Sequence, residues 1–302
     1  SNTTITLRKV QFLNPNLGWT VGGNYNSGVP FCPYYSIITK TTNGGQTWIA
    51  QINTDNGSQF NDLNLLDSNN ICTVGQSMDN FQCLVSFNIA LNSINSGTNW
   101  SPYSTPLPSS YIFNSLSFIN NTTGYVTAIH SSDVIMRLRK ILKTTNSGNN
   151  WSIITTDSLN GSPTFENNFI RFFDANTGYY INGNFLRTTN GGDNWFKFDS
   201  LSVYGMNKFS FINLSTGYLV GQNKLVKTFN GGTNFITNSG TTFTGLNSVC
   251  AIDTNHVWAC GANGKIVYGG KEIKVDTVSI GYFPLKIGNS WTYETTYELP
   301  PG

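Results

Sequence analysis

The stretch Thr41–Trp48, TTNGGQTW, decides the fold, because the chain spells it five times. The other copies are Ser93–Trp100 (SINSGTNW), Thr144–Trp151 (TTNSGNNW), Thr188–Trp195 (TTNGGDNW) and Thr228–Phe235 (TFNGGTNF). Each reads Ser/Thr, any residue, Asn, any, Gly, two more, then an aromatic. A unit recurring every few tens of residues dictates the architecture before any single element is read.

Upstream of each box lies a second signature: an apolar pair, a short polar turn, then Gly-aromatic and a further apolar run. It begins as Phe12-Leu13-Asn14 followed by Gly18-Trp19-Thr20-Val21-Gly22. Later copies start at Leu65, Phe118, Phe172 and Phe211, and a sixth, at Ala251, runs into Tyr268-Gly269-Gly270-Lys271 where a box would stand. Each unit thus holds four short runs, A to D, rich in aromatic and β-branched residues and bounded by Asn and Gly, which is the strand signal. In the first unit they fall near 7–13, 18–23, 36–41 and 46–52. No stretch keeps helical periodicity long enough for a long helix. Repeated four-stranded antiparallel units without helices predict an all-β fold, a β-propeller of six blades, with seven as the alternative. The expected blades are about 7–53, 59–105, 111–157, 165–200, 204–239 and 243–276, with 277–302 as an extension or the start of a further β-rich module.

The box has a structural task, joining strand C to strand D. Asn takes backbone N–H groups across the turn, and the Ser/Thr hydroxyl ties back to it. The Gly supplies a positive φ, and the aromatic packs between sheets. This role is assigned to Asn43, Gly45 and Trp48; Asn95, Gly97 and Trp100; Asn146, Gly148 and Trp151; Asn190, Gly192 and Trp195; and Asn230, Gly232 and Phe235.

These boxes resemble Asp-box (bacterial neuraminidase) repeats, with Asn in the Asp place in all five. Joined to the Gly-Trp-x-Val-Gly strand, the unit is similar to the photosystem II assembly-factor propellers and to secreted Bacteroidetes-type proteins, over about residues 7–276. The resemblance implies the fold and leaves function open, since Asp boxes occur in sialidases, other glycosidases and receptors alike.

Composition narrows the classes. Only 11% of the 302 residues are charged and the net charge is +2, without a basic run, which argues against nucleic-acid binding. Asn, Ser, Thr and Gly dominate the polar fraction, as on a secreted or cell-surface protein. No apolar run approaches the roughly 20 residues of a membrane helix. No signal peptide is visible at Ser1, so an exported protein would be in mature or trimmed form. The five cysteines, Cys32, Cys72, Cys83, Cys250 and Cys260, include no CxxC, and no His cluster joins them, so neither a metal nor a cofactor is expected. A Cys32–Cys83 disulfide would bridge adjacent blades. Three tripeptides beginning Asp157, Asp199 and Asp276 resemble the Bacteroidetes O-glycosylation motif, with Ser158, Ser200 and Thr277 as acceptors. Residues Gly281–Glu294 resemble the opening of a β-rich module of secreted Bacteroidetes-type proteins, so the 302 residues are expected to belong to a longer chain or to pack their tail on the propeller or a neighbour.

A four-stranded meander puts A–B turns and boxes on one face and the unequal B–C and D–A loops on the other. Ligand contacts are therefore expected on the loop face, from Tyr25, Phe31, Tyr34 and Tyr35 of the first insertion, Asp79, and the basic pair Arg137 and Arg139. Sialidases would need an arginine triad, and the five arginines here carry no Arg-Ile-Pro signature. Another glycosidase would need two carboxylates about 5–10 Å apart, one with a raised pKa. Asp62 and Glu166 stand near strand A starts, but nothing singles out a pair. His130 and His256 fall in different units, so no Ser/His/Asp set is supported. The expectation is a non-catalytic extracellular binding or structural module that meets a protein or glycan partner at the cell surface. A glycoside hydrolase and a photosystem-type assembly factor are the alternatives.

Overall fold

The structure, a computed structural model, describes residues 5–25, 34–54, 58–78, 86–108, 110–130, 138–155, 168–198, 203, 205–221 and 223–269. They form six antiparallel sheets in chain order and no α-helix. The first holds β1 (Leu7–Phe12), β2 (Gly18–Tyr25), β3 (Tyr34–Thr41) and β4 (Ile49–Thr54). The second holds β5 (Ser58–Leu65), β6 (Ile71–Met78), β7 (Ser86–Ser93) and β8 (Ser101–Pro102), and the third β9 (Tyr111–Phe118), β10 (Gly124–His130), β11 (Arg139–Thr144) and β12 (Ser152–Thr155). The fourth is β13 (Phe169–Phe172), β14 (Gly178–Ile181), β15 (Phe185–Thr188) and β16 (Phe196–Lys197). The fifth is β17 (Lys208–Phe211), β18 (Gly217–Gly221), β19 (Lys224–Thr228) and β20 (Ile236–Ser239). The sixth has three strands among the described residues, β21 (Leu246–Asp253), β22 (His256–Gly261) and β23 (Ile266–Gly269). This is the six-bladed β-propeller that the repeat predicts, with strand D of the first blade a few residues later than expected.

The boxes act as turn fasteners. Thr41 Oγ1 accepts the N–H of Gly45 at 2.9 Å and donates to Asn43 Oδ1, which accepts the N–H of Thr47 at 2.9 Å. The same three bonds recur in the boxes from Ser93, Thr144, Thr188 and Thr228. The box glycines sit at φ 85–96°, where a Cβ would be strained. The A–B turns use the same chemistry, with Asn14, Asp67, Asn120, Asp174 and Asn213 each accepting two backbone N–H groups. Each box also donates a backbone N–H to its own blade's A–B turn, for example Gly44 to the carbonyl of Asn16 at 2.9 Å. Both turn sets therefore lie on one face, tied together.

Side chains alternate across each sheet, so every blade presents one apolar surface forward and one backward. Five inter-blade cores result. Trp19, Val21 and Ile38 meet Phe60, Leu63 and Ile71 across the first seam; Tyr218 and Val220 meet Leu246, Val249 and Val257 across the fifth. The box aromatics Trp100, Trp151, Trp195 and Phe235 pack into the first four seams. Polar stitches join the inner strands as well. Gln11, Asn64, Ser117 and Ser210 each accept a backbone N–H from the next blade, from Leu65, Phe118, Phe172 and Ala251 respectively.

Candidate ligand-binding face

Strand A of each blade runs from the loop face towards the fastened turns, so its first residues rim the loop-face mouth. Those residues share a feature. In β1, β5, β9 and β21 the pairing to strand B slips by one residue, leaving Arg8, Asn61, Asn114 and Asn247 as the bulged positions. Asn168 and Asn207 hold the corresponding place just before β13 and β17. A bulge re-aims a side chain out of the ladder. Five consecutive blades thus offer an asparagine at one level.

The asparagines differ in how their amides are used. Asn61 donates to the carbonyl of Phe113 at 2.8 Å and accepts from Gln59, while Asn207 donates to the carbonyl of Leu246 at 2.8 Å. Both stitch their blade to the next. In the third and fourth blades the stitch is not made. Asn114 Oδ1 and both amide atoms of Asn168 are buried and have no hydrogen-bond partner among the described residues. A buried amide left unpaired costs free energy comparable to a lost hydrogen bond, so such a group calls for water or a ligand atom.

Charge lies one residue further in. Asp62 is buried, with Lys9 Nζ 3.3 Å from Oδ1, the hydroxyl of Ser115 3.0 Å from Oδ2, and the N–H groups of Leu63 and Leu116 at 2.9 Å. Burial pushes this carboxyl up, but Lys9, Lys208 and the two amides outweigh it and hold the pKa below the usual carboxylate value. Lys208, half-buried with Nζ 3.6 Å over the ring of Phe169, is pushed down to about 8 by burial, with Lys9 adding to the effect and Asp62 opposing it. Asp62 is accordingly a fixed anion bridging the second and third blades, and Lys208 a cation on which desolvation weighs.

The residues expected to make contact are scattered. Tyr25 and Tyr34 are backbone partners at the open end of the β2–β3 hairpin, and Tyr35, half-buried, pairs there with Asn24. Arg139 departs from expectation. It is buried inside β11 instead of lying on a solvated loop face, and its charge acts on Tyr180, whose phenol burial pushes up and Arg139 pulls back. Lys143, on the same forward side of β11, lies over Tyr125, whereas Lys140, on the other side, lies over Tyr111. Phe31, Asp79, Arg137, Cys32, Cys83, Glu166, Ser158, Ser200 and Thr277 lie outside the described residues. Among the described residues Cys72 is a buried free thiol, and Cys250 and Cys260 are exposed ones. His256 binds Asp253 at 2.7 Å within the sixth A–B turn, on the fastened face. The asparagine row escaped the sequence reading, although a signal was present: Asn stands two residues before the central apolar residue of strand A in blades two to six.

No protein-family profile and no curated protein matches the chain. Solved structures do. The chain is similar to a structure described as YCF48 bound to D1 peptide, at 21% identity and TM-score 0.53, covering 72% of this chain and 66% of that one. YCF48 from Cyanidioschyzon merolae aligns at 15% identity and TM-score 0.57, over 89% and 97% of the two chains. A Hadza microbial sialidase, Hz136, aligns at 12% identity and TM-score 0.54, over 86% and 64%. At these identities the likeness establishes the propeller fold, and that fold serves a peptide-bound protein and a sialidase alike.

Proposed function

We propose that the chain is a non-catalytic, extracellular or cell-surface binding module that receives an extended peptide segment of a partner protein across the loop-face mouth. The observation that carries this reading is the buried, unpaired amide of Asn168 beside Asn114 in the row of asparagines. A carboxamide offers one acceptor and a donor pair, which matches the C=O and N–H of a peptide group. Asn114 and Asn168 hold the same place in successive blades, so a chain crossing the mouth would meet one amide after the other. The peptide-bound YCF48 structure supports the choice of ligand, as a propeller of this fold that holds a peptide. The secreted setting rests on the low charge and the Asn/Ser/Thr-rich surface.

Hydrolysis finds less support. Glycosidase chemistry needs a carboxyl kept protonated near neutral pH beside a second carboxylate. Asp62 has the opposite electrostatics, while Asp67, Asp174 and Asp253 are engaged in A–B turns on the far face. The test is binding of the protein to an extended-peptide library and to a glycan array, repeated with Asn168→Ala and with Asn43→Ala. Peptide binding weakened about tenfold by Asn168→Ala, a loss of roughly 1.4 kcal/mol, and unchanged by Asn43→Ala is the expected result. Glycan-only binding, turnover of a glycan, or sensitivity to Asn43 alone would overturn the reading.

A further inference from the structure

Among the described residues, the seam between the sixth and first blades stands apart from the other five. Strand B of each blade has a forward-facing position paired with strand A: Trp19, Cys72, Tyr125, Tyr179, Tyr218 and Trp258. In the first five blades that side chain is at most 5% exposed; Trp258 is 37% exposed. The backward-facing position of strand A shows the mirror image. Leu63, Leu116, Ile170, Phe209 and Val249 are at most 8% exposed, whereas Val10 is 54%. Ile252 beside Trp258, and Phe12 beside Val10, are exposed too. Among the described residues no hydrophobic cluster links the sixth blade to the first. Among the described residues the sixth sheet holds three strands and ends at β23.

We propose that this seam is a docking site for the C-terminal segment of the chain, residues 271–302. The segment follows directly on β23. Its first part, Ile273-Lys274-Val275-Asp276-Thr277-Val278, alternates apolar with polar or charged residues up to Thr277, as a half-buried strand does. Its second part, Trp291-Thr292-Tyr293, again alternates aromatic with polar after a polar Gly-Asn-Ser turn. The length from 270 to 302 is close to that of the whole fifth blade from Lys208 to Ser239, so the segment can reach both faces of the seam. Trp291 and Tyr293, two apart, would present one apolar side to the seam, against Trp258. Burying both faces removes exposed apolar surface that a monomeric protein rarely carries.

Cys250 and Cys260 are native probes, since both flank Trp258 on the exposed forward face. The experiment is maleimide labelling of the full chain with the modified peptides mapped by mass spectrometry, for wild type and Trp291→Ala/Tyr293→Ala, with light scattering alongside. Cys72 reports on folding, because it stays unreactive while the second seam is intact. The expected result is a monomer whose Cys250 and Cys260 react at least about tenfold more slowly than in the double variant, with Cys72 protected in both. Full-rate labelling of the wild-type monomer would overturn the proposal. So would protection that rises with protein concentration alongside a dimer, which assigns the seam to a second copy.

Discussion

Thr188→Val tests the fastening logic of the boxes. Thr188 is buried at the end of β15, and its hydroxyl accepts the N–H of Gly192 at 2.9 Å while donating to Asn190 Oδ1 at 3.0 Å. Valine keeps the shape and the β-branch that strands favour, so packing hardly changes. What changes is the buried Gly192 N–H, which loses its acceptor in a turn whose glycine sits at φ 96° and is also buried. Leaving a buried donor unpaired costs about 1–3 kcal/mol, so about 2 kcal/mol is expected. For a protein of this size that lowers Tm by about 3 °C. Asn190→Ala is the internal comparison. Its Oδ1 accepts the N–H of Asn194, but both residues are exposed and water can replace the bond, so the cost is about 0.5–1 kcal/mol. Urea unfolding of the two variants against wild type provides the assay. A Thr188→Val cost under about 0.5 kcal/mol, or an Asn190→Ala cost equal to or larger than it, would refute the idea that the buried hydroxyl is the main fastener.

Other outcomes follow from the charges at the inner strands. Asp62→Asn should cost about 2–3 kcal/mol at neutral pH, because it strands Lys9 beside a neutral group, as when one partner of a buried pair is removed. The stabilisation by ionised Asp62 is complete above the ordinary value of 3.8 and is lost as pH falls through its lower folded value, so the gap between variant and wild type should close in acid. Lys208 has the opposite signature. Its folded pKa of about 8 lies below the unfolded 10.5, so the unfolded chain holds the extra proton between them, and stability from this group rises with pH across that window. Urea midpoints at about pH 7.5 and about pH 9.5 should show a smaller rise in Lys208→Met than in wild type. Gly192→Ala should destabilise by about 1 kcal/mol or more, since the added Cβ meets Ile154 Cδ1 at 2.7 Å and φ is positive; circular-dichroism melting measures it.

Fold and function were legible in the sequence to different depths. The box and the A–B turn could be read because their bonds close over two to four residues: Thr41, Asn43, Gly45 and Thr47 carry all the information for their own turn. The alternation of strand residues is equally local, and six copies of it imply six sheets. The loop face could be placed from meander polarity alone, but its chemistry could not. Asn61 and Asn168 look alike in sequence, yet one finds the carbonyl of Phe113, fifty-two residues away, and the other finds no partner among the described residues. Arg139 looked like a surface charge because Arg137 and Lys140 flank it, and only the neighbouring blade's Tyr180 reveals it as buried.

By itself, then, the sequence determined the repeat, the turns and which face is fastened, since those follow from hydrogen bonds within a few residues and from side-chain alternation along one strand. Tertiary structure alone decided which asparagine is left unpaired, which charge is buried, and that the sixth and first blades expose the faces their siblings hide. Each of these depends on what another blade places opposite, and no local pattern encodes a neighbour that lies tens of residues away.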